Sequence, residues 1–416
     1  MPFLGPNFEK LTISSTLEIN EISKKMQDSG RKIFKFGLGQ SPFPVPRVLT
    51  EELKNCAHIK DYLDVTGLFE LRRAVAAFHK KRNRVDYGPE NVLIGPGSKE
   101  LLFQCQMVFD GVTVLPAPSW VSYAPQAKFL NKKLVWLKTN IQQEWHVSPE
   151  VLDNYCREES NQNKLLILNS PNNPSGTSHS NLQELARVAR KNDLIVLSDE
   201  IYAELEYEGS YQSISHYYPE GTIVSGGLSK WCGAGGWRLG TMVFPDQLLD
   251  IRNALRATSS ETFTSVSAPI QYAAIKGFTC DHSQYLKKSR AILKSVASFV
   301  HRELVSVGIN SVKPSGGFYL LCDFSEILRN SNTILNDNDL CKKLLADTGV
   351  ATLPGSDFGL NSEDKILRLA FVDFDGGKIL AQLDSKYKLD NDSFEHYFPK
   401  IYEGIKKLKH WTLENK

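Results

Sequence analysis

Leu165-Leu166-Ile167-Leu168-Asn169-Ser170-Pro171-Asn172-Asn173-Pro174-Ser175-Gly176 opens a unit that closes with Leu194-Ile195-Val196-Leu197-Ser198-Asp199-Glu200-Ile201-Tyr202. The two apolar runs, short and bounded by turn residues, read as strands. Between them Leu182, Leu185, Val188 and Ala189 make one apolar stripe of a helix, and Ser180 with Gln183 spells a capping box at its start. Strand, helix, strand predicts a βαβ crossover and parallel pairing. The same rhythm continues outward in Val92-Leu93-Ile94 and Val112-Thr113-Val114-Leu115 upstream and in Thr222-Ile223-Val224 downstream. The middle of the chain therefore predicts a largely parallel sheet covered by helices.

The chain has 416 residues, more than the ~250–300 at which one core stops growing, so two domains are expected. Residues 1–46 break the rhythm, with a helix expected near Ile19–Ser29 and then Ser41-Pro42-Phe43-Pro44-Val45-Pro46, which continues neither helix nor sheet interior. After about residue 300 the pattern turns to helices mixed with antiparallel-looking strands, Gly317–Cys322 and Ile366–Phe371. The expected division is a large domain over 47–300, a smaller α+β domain over 301–416, and an N-terminal segment, 1–46, that joins the smaller one.

Charge narrows the function. With 49 basic and 47 acidic residues the net charge is +2, and no long run of one sign offers itself to a phosphate backbone or an anionic membrane, so nucleic acid is not an expected partner. No apolar run reaches the ~20 residues of a membrane span, and Met1-Pro2-Phe3-Leu4-Gly5-Pro6 lacks the features of a secretory leader. The seven cysteines stand in neither CxxC nor zinc-knuckle spacing, so no metal site is expected and they read as reduced, packed thiols of a cytoplasmic protein.

In an open parallel sheet, ligands sit beyond the carboxyl ends of the strands, so the residues after each apolar run decide the chemistry. Here those are Asn173, Asp199 with Tyr202, and Ser225-Gly226-Gly227-Leu228-Ser229-Lys230, followed by Gly235-Gly236-Trp237-Arg238. One edge gathers an amide, a carboxylate, a phenol, an amine and a guanidinium. Pyridoxal 5′-phosphate needs that set: an amine to form an imine and shuttle a proton (Lys230), and a carboxylate to keep the pyridine nitrogen protonated (Asp199). Donors to the ring oxygen (Asn173, Tyr202) and a cationic, N–H-rich cradle for the phosphate complete it. Arg238 supplies the cation, and Gly97-Ser98-Lys99, at the start of the helical run Glu100–Phe109, supplies the N–H groups.

Asn173-Pro174-x-Gly176, Asp199-x-x-Tyr202, Ser229-Lys230 and Gly236-Trp237-Arg238, in this order, resemble the class I/II aminotransferases. The resemblance runs from Gly39 to Arg368 and implies the pyridoxal-phosphate-dependent transferase fold type I: a large domain with a mostly parallel seven-stranded sheet sandwiched by helices, plus a smaller α+β domain. It places the Schiff base on Lys230, the pyridine partner at Asp199, the ring-oxygen donors at Asn173 and Tyr202, and the phosphate arginine at Arg238. It further implies that Gly39, in Gly37-Leu38-Gly39-Gln40, faces the substrate α-carboxylate, that Arg368 grips that carboxylate, and that Trp120 stacks on the ring. Tyr62, in Tyr62-x-x-x-x-Gly67-Leu68-x-x-Leu71-Arg72, resembles the tyrosine that reaches the neighbouring subunit's phosphate, which implies a homodimer with shared active sites. Many family members carry serine where this chain has Gly227, so Ser225 or Ser229 is expected to take over that role toward the phosphate.

The implied reaction moves an amino group from an L-amino acid to a 2-oxo acid by a ping-pong mechanism. Lys99 leaves the donor open: it pairs with a distal carboxylate, favouring aspartate or glutamate, or it meets only phosphate and solvent. A β-lyase or a cyclopropane-forming synthase on the same framework, and a non-catalytic sensor or scaffold, are the rival readings.

Overall fold

The computed structural model describes residues 15–159, 161–382 and 391–416, so residues 1–14 of the N-terminal segment lie outside the described residues. The strands, in chain order, are β1 (Phe34–Lys35), β2 (Val92–Gly95), β3 (Val112–Ala117), β4 (Leu134–Lys138), β5 (Lys164–Asn169), β6 (Ile195–Asp199), β7 (Thr222–Gly227), β8 (Gly240–Val243), β9 (Tyr319–Asp323), β10 (Val350–Ala351), β11 (Leu353–Pro354) and β12 (Ile366–Ala370). Seven form one sheet in the order β2-β8-β7-β6-β5-β3-β4. Every pairing from β7 through β4 is parallel, and β8 alone runs antiparallel, to β7 and β2. The expected fold class, mostly parallel α/β, is the observed one.

Why the apolar runs are continuous is visible on β5. Leu166 and Leu168 pack on one face with Leu182, Leu185, Val188 and Leu152, whereas Leu165 and Ile167 pack on the other with Leu101, Leu102, Cys105 and Leu255. A strand buried on both sides has no polar face to alternate with. The helix Leu182–Lys191 buries the expected stripe of Leu182, Leu185, Val188 and Ala189. Its start differs from the expected capping box. The N-cap is Asn181, without a side-chain cap bond: its Nδ2 donates to the Val147 carbonyl at 3.0 Å, and its Oδ1, the atom that could accept a cap bond, accepts none; Ser180 lies one position too early.

The expected helix near 19–29 is found at Ser15–Asp28. β9 and β12 pair antiparallel, as expected, and with β11 they form a three-stranded sheet. Near the N-terminus, β1 pairs in parallel with β10. All seven cysteines are free and six are buried. Among the described residues no helix is long and apolar enough to cross a membrane.

Candidate active site

β3, β5, β6 and β7 end at one edge of the sheet, and the chain that follows each of them turns into a single cavity of about 500 Å³. Trp120 arrives after β3, Asn173 after β5, Asp199 and Tyr202 at the end of β6, and Ser229 with Lys230 after β7. The small sheet closes the other side with Tyr319 from β9 and Arg368 from β12, and Gly39 comes from the N-terminal segment.

Lys230 donates from Nζ to the Gly39 carbonyl at 3.0 Å. Burial, reinforced by the Arg368 and Arg238 guanidiniums, lowers its pKa to about 8, and Asp199 only partly opposes them. A lysine so placed is a usable nucleophile and base near neutral pH. Asp199 is 3% exposed; burial pushes its pKa up to about 6, against hydrogen bonds from Tyr123 and the Ile201 amide. The Tyr123 hydroxyl donates to Asp199 Oδ2 at 2.6 Å. A buried carboxyl held by a phenol and one backbone N–H lacks a cation, which a protonated pyridine nitrogen would supply.

Asn169 pins the turn that presents Asn173: its Oδ1 accepts from the Asn173 amide at 2.7 Å and its Nδ2 donates to the Asp199 carbonyl at 2.8 Å. Asn173 Oδ1 in turn accepts from Arg368 Nη1 at 3.2 Å. Arg368 is 2% exposed, also donates to the Gly37 carbonyl, and keeps its Nε without a hydrogen-bond partner. Burial depresses its pKa, opposed by Tyr319, Tyr202 and Asp357. Burial likewise drives the Tyr202 phenol well upward, so it stays protonated and able to donate.

At the far end, Ser98 and Lys99 begin the helix Ser98–Val108, whose N-cap, Gly97, offers no side chain. Gly240 on β8 lets this helix start come close: a Cβ there would fall 2.2 Å from the Ser98 nitrogen. Arg238 stands beside it in the left-handed region at φ 54°, donating to the Gly235 carbonyl at 2.8 Å and to that of Pro96 at 3.4 Å. Helix N–H groups and a guanidinium with only carbonyl partners make an anion cradle. Together with the buried carboxyl, the lowered amine and the unpaired Arg368 Nε, this donor set fits pyridoxal 5′-phosphate and an α-carboxylate.

The cavity wall contains every residue given a role from the sequence except Gly97, Tyr62 and Ser225. Tyr62 is 88% exposed. Of the two serines expected to serve the phosphate where Gly227 offers no hydroxyl, Ser229 lines the cavity and Ser225 is wholly buried with its hydroxyl unpartnered. The sequence reading missed Asn169, Tyr123 and Tyr319. Tyr123 stands three residues after Trp120 and Tyr319 inside an expected strand; nothing in spacing or periodicity marks either hydroxyl.

The chain matches the family model described as aminotransferase class I and II over residues 31–376. It is 30% identical over 375 residues to an aspartate aminotransferase of Bacillus sp. (strain YM-2), covering 87% of this chain and 94% of that one. It is 31% identical over 347 residues to aromatic-amino-acid aminotransferase 2 of Thermococcus litoralis, covering 80% and 85%. The solved structure of a Thermus thermophilus aspartate aminotransferase with maleate superposes with a TM-score of 0.85 at 25% identity, over 99% of this chain and 100% of that one. A family match across most of the chain, and a solved relative that superposes on nearly all of it, lead to one conclusion: the chain belongs to the class I and II aminotransferases and is a pyridoxal-phosphate-dependent aminotransferase.

Proposed function

We propose that this aminotransferase takes an acidic amino acid, aspartate or glutamate, as donor and passes the amino group to a 2-oxo acid, both half-reactions running in turn at Lys230. The observation that carries the donor class is a second cation. Besides Arg368, the cavity wall holds Lys99, whose Nζ lies 5.4 Å from the Trp120 ring centroid and whose pKa is lowered by burial and by Arg238. One cation for each carboxylate suits a dicarboxylic substrate. The printed names of the Bacillus relative and of the maleate-bound Thermus structure point the same way.

Bound pyridoxal 5′-phosphate supplies an aldehyde carbon that carries the amino group and a protonated ring that withdraws electrons. Asp199 would hold the proton on the ring nitrogen, while Asn173 and Tyr202 would donate toward the ring oxygen. Arg238, Ser229 and the N–H groups of Ser98 and Lys99 would hold the phosphate, and Trp120 would cover the ring. Arg368, beside the Gly39 turn, fixes the α-carboxylate so that the substrate Cα faces Lys230. The Lys230 amine then takes the Cα proton, a task in which a positioned base contributes ~10²–10⁴-fold. We read the protein as a cytoplasmic homodimer in which the exposed Tyr62 completes the partner's phosphate site. Its chain divides into a large domain (47–300), a small one (301–416) and the segment 1–46, whose pairing of β1 with β10 supports joining it to the small domain.

The test is to mix the cofactor-loaded protein with single amino acids, without an acceptor, and follow the decay of its visible absorbance. Aspartate and glutamate are expected to react fastest, and Lys99→Ala to raise the aspartate KM by ~10-fold or more, the worth of one charge-assisted contact. A neutral amino acid outrunning both, with an unchanged aspartate KM in Lys99→Ala, would remove the dicarboxylate reading.

A further inference from the structure

One phenol on the cavity wall has no part in the roles above. Tyr319, 2% exposed on β9, lays its ring 4.6 Å from the Arg368 guanidinium, with Phe358 at 5.1 Å from the same group. Its hydroxyl lies 2.9 Å from that of Tyr202 and donates to the Gly39 carbonyl at 3.4 Å. The space it occupies exists because residue 39 is glycine, where a Cβ would come 1.8 Å from the Tyr319 oxygen. The Gly39 carbonyl is also the acceptor for Lys230. A single side chain of the small sheet thus touches Arg368, Tyr202 and the turn that receives the lysine.

The direction of the chain follows from counting donors. A hydroxyl has one proton, and either phenol can donate across the 2.9 Å contact; when Tyr319 gives its proton to the Gly39 carbonyl, it accepts from Tyr202. The Tyr202 proton therefore has an acceptor inside the protein that competes with the ring oxygen of a bound cofactor. The groups facing Tyr202 are Lys230, 5.8 Å from its ring centroid, together with Asp199, Arg368 and the Phe318 ring.

We propose that Tyr319 is a positioning residue that links the substrate-carboxylate site to the cofactor site, its ring steadying Arg368 and its hydroxyl competing with the ring oxygen for the Tyr202 proton. This rests on the roles proposed above for Arg368 and Tyr202. It adds a connection separate from the direct Arg368–Asn173 hydrogen bond.

The test uses the loaded enzyme, the inert dicarboxylate maleate, and two variants. Tyr319→Phe keeps the ring and removes the hydroxyl; Tyr319→Leu removes both. Freed of its competing acceptor, Tyr202 donates more fully to the ring oxygen and stabilises its anionic form, so in both variants the pH midpoint of the visible absorbance is expected to fall by ~0.5. Maleate affinity is expected to stay within about twofold in Tyr319→Phe and to weaken at least about fivefold in Tyr319→Leu, the range of a desolvated cation–π contact. An unchanged or higher midpoint in Tyr319→Phe, or full maleate affinity in Tyr319→Leu, would overturn the proposal. Neither readout depends on turnover, so a wild-type enzyme that ignores aspartate would contradict the substrate reading alone.

Discussion

Asp199 and Glu200 are neighbours in sequence, each 3% exposed, and their surroundings could hardly differ more. Glu200 is ion-paired with Arg82 and accepts from the hydroxyls of Ser198 and Ser213. Arg82 also reaches Glu204 at 3.3 Å, and Glu204 pairs with Arg290 at 3.4 Å, so the charges alternate and every member has a partner. Asp199 has one phenol and a backbone amide, and Lys230 has one carbonyl. A buried charge is costly until paired. The Glu200 side has met that requirement within the chain and is architecture, whereas the Asp199 side leaves it to be met by a ligand, which is where shifted pKa values collect.

Breaking the paired side should cost stability, and altering the open side should cost turnover. The largest effect is expected for Arg82→Leu, which strands Glu200 and Glu204: a drop of about 3–5 kcal/mol in urea unfolding. A drop below ~1 kcal/mol would erase the contrast. For Asp199→Ala the expected result is a kcat lower by ~10²–10³-fold, as for removal of a preorganised electrostatic partner, with a urea midpoint no lower than wild type. Tyr123→Phe takes a hydrogen-bond donor from the Asp199 carboxylate, so its pKa should rise, in the loaded enzyme as in the cofactor-free one. Since the ionised form is the active one, the acid limb of the kcat/KM profile is expected to move up by about one pH unit, and an unmoved limb would deny Tyr123 this role.

The smallest effect concerns a third kind of burial. His146 and His179 pack with ring centroids 4.5 Å apart, and burial holds their pKa values down to about 4 and about 3, from an ordinary 6.5. Protons then bind the unfolded chain more readily. Their contribution to stability is full above pH 6.5 and declines as the pH falls toward 4. The melting temperature should drop over that interval, and His146→Gln should flatten the slope; an identical slope in the variant would assign the drop to other groups.

How much of this was legible in the sequence follows from the same physics. Strands buried on both faces must be apolar throughout, so β3, β5, β6 and β7 showed as Leu/Ile/Val runs, and the groups after them, Asn173, Asp199, Tyr202 and Lys230, could be read off in order. Arg368 was legible only through its likeness to a family pattern, since an arginine in an apolar strand says nothing of what it faces. Tyr123 and Tyr319 were hidden because each acts through a hydroxyl on an otherwise ordinary core aromatic, and their partners lie 76 and 117 residues away. The Ser180 cap was misjudged by one position: the helix starts after Asn181, whose side chain makes no cap bond and instead donates to the distant Val147 carbonyl, something no local motif encodes.

The central claim is that one unpaired, burial-weakened amine receives the cofactor. The most direct measurement titrates the cofactor-free protein and its Lys230→Ala variant with pyridoxal phosphate across pH and follows the visible absorbance. The account expects a band in the wild type, distinct from that of the free cofactor, whose rate of appearance is half-maximal near pH 8, the lowered lysine value, and in the variant no absorbance beyond that of the free cofactor. A band of equal strength in Lys230→Ala would show that another amine does this work and would contradict the account.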